Sequence, residues 1–259
     1  MRTVLSADNP HGPGRKGFAW EHVPRGAAAH LDFGCGDGEF LDSLHGRSVR
    51  RLAGADAAAE AVAEARRRAA DLDVRHVPAG GRLDWPDRTF TSITALDVIE
   101  HIADQQVALS ELRRVLADDG RLIVTVPGEH VFSFLDMGNL KFRFPRLHRW
   151  HVRRTRSPAE YERRYGAHPD GLIGDVGADK AWHEHFSRAH LRDLLARAGF
   201  RVEGFDGAGL FGRCISVATI GLRRFGPVRR LADRLRRSDA RRFAAMNLFC
   251  VAVKAPARD

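Results

Sequence analysis

The chain has 259 residues, 44% of them hydrophobic and 29% charged, with a formal net charge of +9, the ordinary balance of a globular protein with one sizeable core. No window approaches the roughly 20 apolar residues of a membrane span, and Met1 to Gly14 lacks the apolar stretch of a secretory signal. Cys35, Cys214 and Cys250 are too scattered for a disulfide framework or a zinc site, so a soluble protein in a reducing cytoplasm is expected.

Apolar runs alternate with amphipathic segments in a strand–helix rhythm, which predicts an α/β fold with a mostly parallel sheet covered on both faces. In chain order the expected elements are a strand at 27–33, a helix near 39–45, a strand at 51–55 and an Ala-rich helix over 58–70. A short strand near 73–77 and a strand at 90–96 follow. Next comes a helix over 105–116, with Ala108, Leu109, Leu112, Val115 and Leu116 on one stripe and Gly120 as its stop signal. A strand at 121–126, a helix at 188–198 stopped by Gly199, a strand at 200–205 and a last strand at 248–253 complete the series.

Two stretches break the rhythm, 129–186 and 209–246, each far longer than an ordinary connection of roughly 2–6 residues. Insertions at the carboxyl ends of parallel strands usually build substrate sites. The whole chain, 1–259, is therefore read as a single domain. In it, 129–186 is a lid over the site, joined by residues 1–25, and 209–246 is a basic helical insertion.

The strongest local signal is the run from Leu31 to Phe40, in which an apolar strand ends in Asp32 and Gly34, Gly36 and Gly38 follow at a spacing of two, with Cys35 among them. A ligand lying across strand ends needs close backbone approach, which a Cβ would block. The turn also delivers backbone amides at a helix start, where a carboxylate can bind. The spacing differs from the G-x-G-x-x-G of dinucleotide binding. The second strand leads into Asp56, 24 residues after Asp32, an acid placed either to accept two ribose hydroxyls or to cap the next helix.

Taken together, LDFGCGDGEF, GAD, LDWPDRTF, ALDVIEHI, ALSELRRVLADDGRLIVTVPG and HEHFSRAHLRDLLARAGFRV resemble the class I S-adenosylmethionine-dependent methyltransferases of the ubiquinone-biosynthesis type, over roughly residues 25–130 and 180–208. The resemblance implies a Rossmann-like, doubly wound seven-stranded sheet, mostly parallel with the last strand antiparallel. It also implies S-adenosylmethionine as cofactor. Asp32, Gly34 and Gly36 would line the methionine end, with Cys35 and Gly38 in the same loop. Asp56 would hold the ribose, and Leu96 and Asp97 would lie by the sulfonium. The family often has an acid near Ala79 that reaches the adenine amine; this chain has Ala79 itself, and Thr91 replaces another family acid. Adenine recognition would then rest on backbone groups near Ala79 or on Leu83-Asp84-Trp85.

Methyl transfer is an in-line displacement that needs an aligned nucleophile and, for a hydroxyl, removal of its proton. Asp97, Glu100 and His101 follow the fourth strand directly, and on one helical turn they would share a face. His183 and His185 flank Glu184 and would share a face if extended. The pattern resembles metal-dependent O-methyltransferases, which implies Asp97, Glu100, His101 and His183 as ligands of Mg²⁺, Mn²⁺ or Zn²⁺. A metal-free base, His101 or His185, is the second reading, with Glu100 beside it. Alignment alone is the third.

Residues 141–156 carry seven basic residues and no acid, interleaved with aromatics, and 223–242 carry nine arginines against Asp233 and Asp239. The first mixture suits either phosphate and base contacts or a solvated helix. The second suits an anionic membrane surface or a plain capping helix. The leading expectation is an O-methyltransferase acting on a small-molecule hydroxyl (a sugar, polyketide or phenol). The alternatives are RNA methylation, a lipid-linked glycan acceptor and a silent methyltransferase-like binding protein. No separate RNA-binding module is visible.

Overall fold

The computed structural model describes residues 3–12, 14–77, 82–129, 184–208, 225–243 and 247–256, with Arg146, Trp150, Phe211, Ile215 and Thr219 as isolated positions. Seven strands form one sheet: β1 (His30–Phe33), β2 (Leu52–Asp56), β3 (Asp73–His76), β4 (Phe90–Leu96), β5 (Leu116–Pro127), β6 (Phe200–Ala208) and β7 (Asn247–Lys254). Their order is β3-β2-β1-β4-β5-β7-β6. β1 to β5 pair in parallel, and β7 runs antiparallel to both neighbours, so six strands share one direction and the last opposes them. This is the doubly wound fold that the motifs imply.

Helices among the described residues are α1 (Arg15–His22), α2 (Glu39–Ser43), α3 (Ala59–Arg68), α4 (Gln105–Val115), α5 (Arg188–Arg197) and α6 (Gly226–Phe243). Two buried clusters lie on the two faces of the sheet. One gathers Leu31, Ile93 and Leu122 with Leu109 and Leu112 of α4 and Leu191 and Leu195 of α5; the other gathers Phe18 and Trp20 of α1 with Ile123, Phe249 and Val251. Both starts of the α4–α5 layer are capped: Asp104 accepts from Val107 N at 3.0 Å and Ser187 from His190 N at 3.1 Å. Gly199 ends α5 with φ +78°, as its position predicts.

Two local expectations change. α4 stops at Val115, one residue before the expected end at 116, because Leu116 is fully buried and already pairs with Phe90 as the first residue of β5. The register then slips between Phe90 and Ser92, and Gly120 sits inside the strand, where a Cβ would come 2.7 Å from Leu116 Cδ1. The amino-terminal segment, expected over the site, also builds core. Phe18, Ala19 and Trp20 of α1 are buried, and the Phe18 ring meets Phe249 at 5.2 Å. Most of the expected lid, including His183, lies outside the described residues. Among the described residues no helix is long and apolar enough to cross a membrane.

Candidate active site

The chain order reverses between β1 and β4, and in open α/β sheets the ligand crevice opens at the carboxyl ends of such a pair. The turn after β1 is stitched onto the end of β2: Gly34 N and Cys35 N both donate to Ala55 O, at 2.7 and 3.1 Å. Gly34 takes φ +78°, and a Cβ there would stand 2.2 Å from Val98 Cγ2, so the turns after β1 and β4 touch through the missing side chain. Gly36 also takes positive φ, +55°, but nothing lies within 4 Å of where its Cβ would stand, so that side of the turn is open. Gly38, by contrast, serves packing, since a Cβ would meet Ala65 Cβ of α3 at 3.0 Å. Cys35 turns its side chain inward against Gly54, and burial together with Asp32 and Asp56 raises its thiol far above the ordinary range.

Asp56 accepts from Gly36 N at 2.8 Å through Oδ2 and from Ala58 N at 2.9 Å through Oδ1. The residue at the N-cap position of α3 is Ala58, so Asp56 is not that helix's cap. A carboxylate has about four lone-pair positions; with one backbone donor on each oxygen, capacity remains for two hydroxyls. Asp32 is buried and accepts from Thr94 Oγ1 at 2.7 Å; burial first, and then Asp56, push it up to about 7.

Asp97 is not stacked over Glu100 and His101. It adopts φ +56°, its N donates to Thr125 O at 2.9 Å, and its Oδ1 accepts from Thr125 Oγ1 at 2.6 Å. The Arg15 guanidinium pairs with its other oxygen. Ile99–His101 then forms a 3₁₀ turn rather than α-helix. This bend replaces the expected common face: the Asp97 carboxylate goes to Thr125 and Arg15, while the Glu100 side chain is fully buried with Oε1 3.9 Å from His101 Nε2. Among the described residues no three His, Cys, Asp or Glu side chains gather as a metal-binding set. Asp97, Glu100 and His101 by themselves form no such set, and His183, the fourth expected ligand, lies outside the described residues.

His185 is carried to the site's edge by the bridge between Gly128 and Phe186, in which Phe186 N donates to Pro127 O and Glu129 N to Phe186 O, both at 2.9 Å. Gln105 completes the link, a residue the motifs did not single out. Its Nε2 donates to Glu184 Oε2 at 2.7 Å and to Ile99 O at 3.0 Å, tying the His185 segment to the turn that bears His101. Ala79 lies outside the described residues. Leu83 and Trp85 are core residues, 2% and 3% exposed, and the Trp85 indole donates to Asp73.

Fold and crevice together define a class I S-adenosylmethionine-dependent methyltransferase. The family described as "Methyltransferase domain" matches residues 21–204, and the chain belongs to that family. A "probable S-adenosylmethionine-dependent methyltransferase" of Mycolicibacterium smegmatis is 36% identical over 103 residues, 40% of this chain and 39% of that one. A demethylmenaquinone methyltransferase of Thermus thermophilus is 39% identical over 98 residues, 36% of this chain and 44% of the relative. The chain thus spans less than half the length of these curated relatives. The crystal structure of an S-adenosylmethionine-dependent methyltransferase from Mesorhizobium loti shares the fold with a TM-score of 0.55 at 16% identity, covering 93% of this chain and 98% of that one.

Proposed function

We propose that the protein transfers the methyl group of S-adenosylmethionine to a hydroxyl oxygen of a small acceptor such as a sugar, polyketide or phenol, leaving S-adenosylhomocysteine. The bound cofactor supplies an electrophilic methyl on a sulfonium. Asp32, Gly34 and Gly36 receive its amino-acid end, Asp56 its ribose, and Leu96 and Asp97 border its sulfur. His101 carries the reading: it sits just beyond the end of β4, partly exposed, with the buried Glu100 carboxylate 3.9 Å from one ring nitrogen. The His101 imidazole accepts the hydroxyl proton as the O–CH₃ bond forms and the S–CH₃ bond breaks, and Glu100 stabilises the resulting imidazolium. No step is routed through a metal.

Calorimetry with S-adenosylmethionine, followed by product analysis over a panel of hydroxylated acceptors, tests the proposal. Wild type takes up the cofactor, Asp56→Ala does not, and His101→Ala binds it but no longer releases S-adenosylhomocysteine. Full turnover by His101→Ala, or methyl appearing on nitrogen or carbon, refutes it.

One observation favours a lipid-linked acceptor as a second reading. On α6, Leu231 and Leu235 are 54% and 46% exposed beside the exposed Arg229, Arg230 and Arg234. A helix that keeps leucines outside among arginines suits an anionic bilayer surface. Co-sedimentation with phosphatidylglycerol vesicles but not phosphatidylcholine vesicles, lost in Leu231→Ser/Leu235→Ser, separates this reading from the first.

A further inference from the structure

A line of four polar side chains runs through the middle of the sheet. In the register of β1 against β4, His30 stands opposite Ser92 and Asp32 opposite Thr94. Side chains alternate along a strand, so all four share one face. None is more than 3% exposed. That face is the one α1 covers, since Phe18 packs on Phe249, which stands opposite Thr125 and through it opposite Leu96. In such a place apolar side chains would pack without desolvation cost.

The four groups satisfy one another. Ser92 Oγ lies 2.8 Å from His30 Nδ1, His30 Nε2 lies 3.0 Å from Thr94 Oγ1, and Thr94 Oγ1 donates to Asp32 Oδ1 at 2.7 Å. We propose that Ser92, His30 and Thr94 are positioning residues that fix the Asp32 carboxylate and leave its Oδ2 for the ammonium group of the cofactor. The inference rests on the reading of Asp32 as part of the cofactor's methionine end.

The direction of the chain follows from donor and acceptor counts. A carboxylate only accepts, so Thr94 gives its one proton to Oδ1. Thr94 must then accept from Nε2–H. Burial holds the His30 imidazole neutral, with its pKa down to about 3, so it has one ring proton and Nδ1 accepts from Ser92. A protonated Asp32 reverses every bond: the carboxyl donates to Thr94, Thr94 to Nε2, and Nδ1–H to Ser92. The His30 tautomer therefore reads the protonation state of Asp32.

Both states are within reach near neutrality. Burial and Asp56 at the end of β2 raise the Asp32 pKa, while Thr94 of β4 and Lys16 of α1 lower it, with the balance at about 7. Cys35, on the turn after β1, is the remaining titratable neighbour, and it stays a neutral thiol. An ammonium at Oδ2 selects the carboxylate, sends its proton to solvent and sets the Nε2–H tautomer.

Nitrogen-15 NMR of His30, with and without S-adenosylhomocysteine, reads this directly, and calorimetry on Thr94 variants reads its cost. The ligand should shift His30 to the Nε2–H form. Thr94→Val should weaken binding on the order of tenfold, the worth of a hydrogen bond to a charged group. It should also move the acid limit of binding to higher pH and leave kcat at saturating cofactor unchanged. Thr94→Ser should restore both affinity and pH profile. A His30 tautomer indifferent to ligand and to pH, or unaltered binding by Thr94→Val, overturns the proposal. If Thr94→Val does not fold, the wild-type tautomer decides. No uptake of S-adenosylhomocysteine by wild type removes the site reading itself, whereas uptake without a tautomer change removes only this inference.

Discussion

Gly34 and Val98 hold the two halves of the crevice at contact distance: a Cβ on residue 34 would lie 2.2 Å from Val98 Cγ2 and 3.1 Å from Cγ1. Gly34→Ala therefore meets two separate penalties, the positive φ and the collision. The first costs roughly 1–2 kcal/mol for an L-residue. Thermal melts should show Gly34→Ala clearly destabilised and calorimetry should show weakened cofactor uptake. Adding Val98→Ala should recover the collision and leave the backbone cost. A double variant as unstable as Gly34→Ala would show that the contact carries no strain.

Thiol chemistry tests the inward turn of the glycine loop. Burial pushes the Cys250 thiol up to about 12, and burial beside Asp32 and Asp56 raises Cys35 far above the ordinary thiol range. Only thiolates alkylate readily. Mass spectrometry of the native protein after mild iodoacetamide treatment should find both residues unmodified, and both modified after denaturation. Native alkylation of Cys35 would mean that its side chain faces the crevice.

The sequence made the sheet legible because hydrophobic runs and glycine spacing are local signals. The strand at 90–96 and the loop from Asp32 to Gly38 need no partner to be recognised. What it hid depends on tertiary contact. The period of the stripe carried the predicted helix over 105–116 through Leu116, but a buried pairing with Phe90 claimed that residue for β5. An Asp-x-x-Glu-His stretch converges only on regular helix, and the φ of +56° at Asp97 sends its carboxylate to Thr125. Gln105 carries no motif; its role follows from Glu184, 79 residues on. The amino-terminal Phe18, Ala19 and Trp20 are too short an apolar run to announce a core helix.

His30 and Asp32 act on stability with opposite signs. The His30 pKa falls from 6.5 to about 3 through burial, so the stability it permits is complete above 6.5 and is lost as pH falls below that value. The Asp32 pKa rises from 3.8 to about 7, so its contribution is complete below 3.8 and is lost as pH rises toward 7. Between 3.8 and 6.5 the two slopes oppose each other. His30→Gln should leave the Asp32 slope alone, and urea unfolding should show stability rising on acidification by up to about 1.4 kcal/mol per pH unit relative to wild type. Asp32→Asn should show the reverse. Parallel pH curves for wild type and both variants would contradict the burial of these groups.

Arg114 ties the segment before β4 to α4. Its guanidinium donates to Glu111 at 2.8 and 3.0 Å, to Asp87 at 2.7 Å, to Leu83 O at 2.8 Å and to Trp85 O at 2.9 Å. Lysine, with three donors on one atom, cannot reproduce that fork. Arg114→Lys should lower the melting temperature nearly as far as Arg114→Met, with a loss of about 2–4 kcal/mol from the unpaired carboxylate and carbonyls. Full stability in Arg114→Lys would reduce the site to a single ion pair.

Gln105 offers a way to separate cofactor binding from acceptor chemistry. It begins α4, yet its amide reaches Ile99 O on one side and Glu184 on the other, so the 3₁₀ turn bearing His101 and the segment bearing His185 share one donor group. Neither partner belongs to the glycine loop or to Asp56. Gln105→Ala should therefore leave calorimetric affinity for S-adenosylmethionine within about twofold, since no contact to the loop is lost. It should raise amide hydrogen exchange at 99–101 and 184–186, because the amide that bridges the two segments is gone. Methyl transfer should slow as His101 loses its fixed position, through kcat rather than through the KM for cofactor. Gln105→Glu is the sharper variant: it places a second carboxylate against Glu184 and should open the same segments further. If exchange at 184–186 stays at the wild-type level in both variants, the two segments are held together by other contacts, and Gln105 does not position His101.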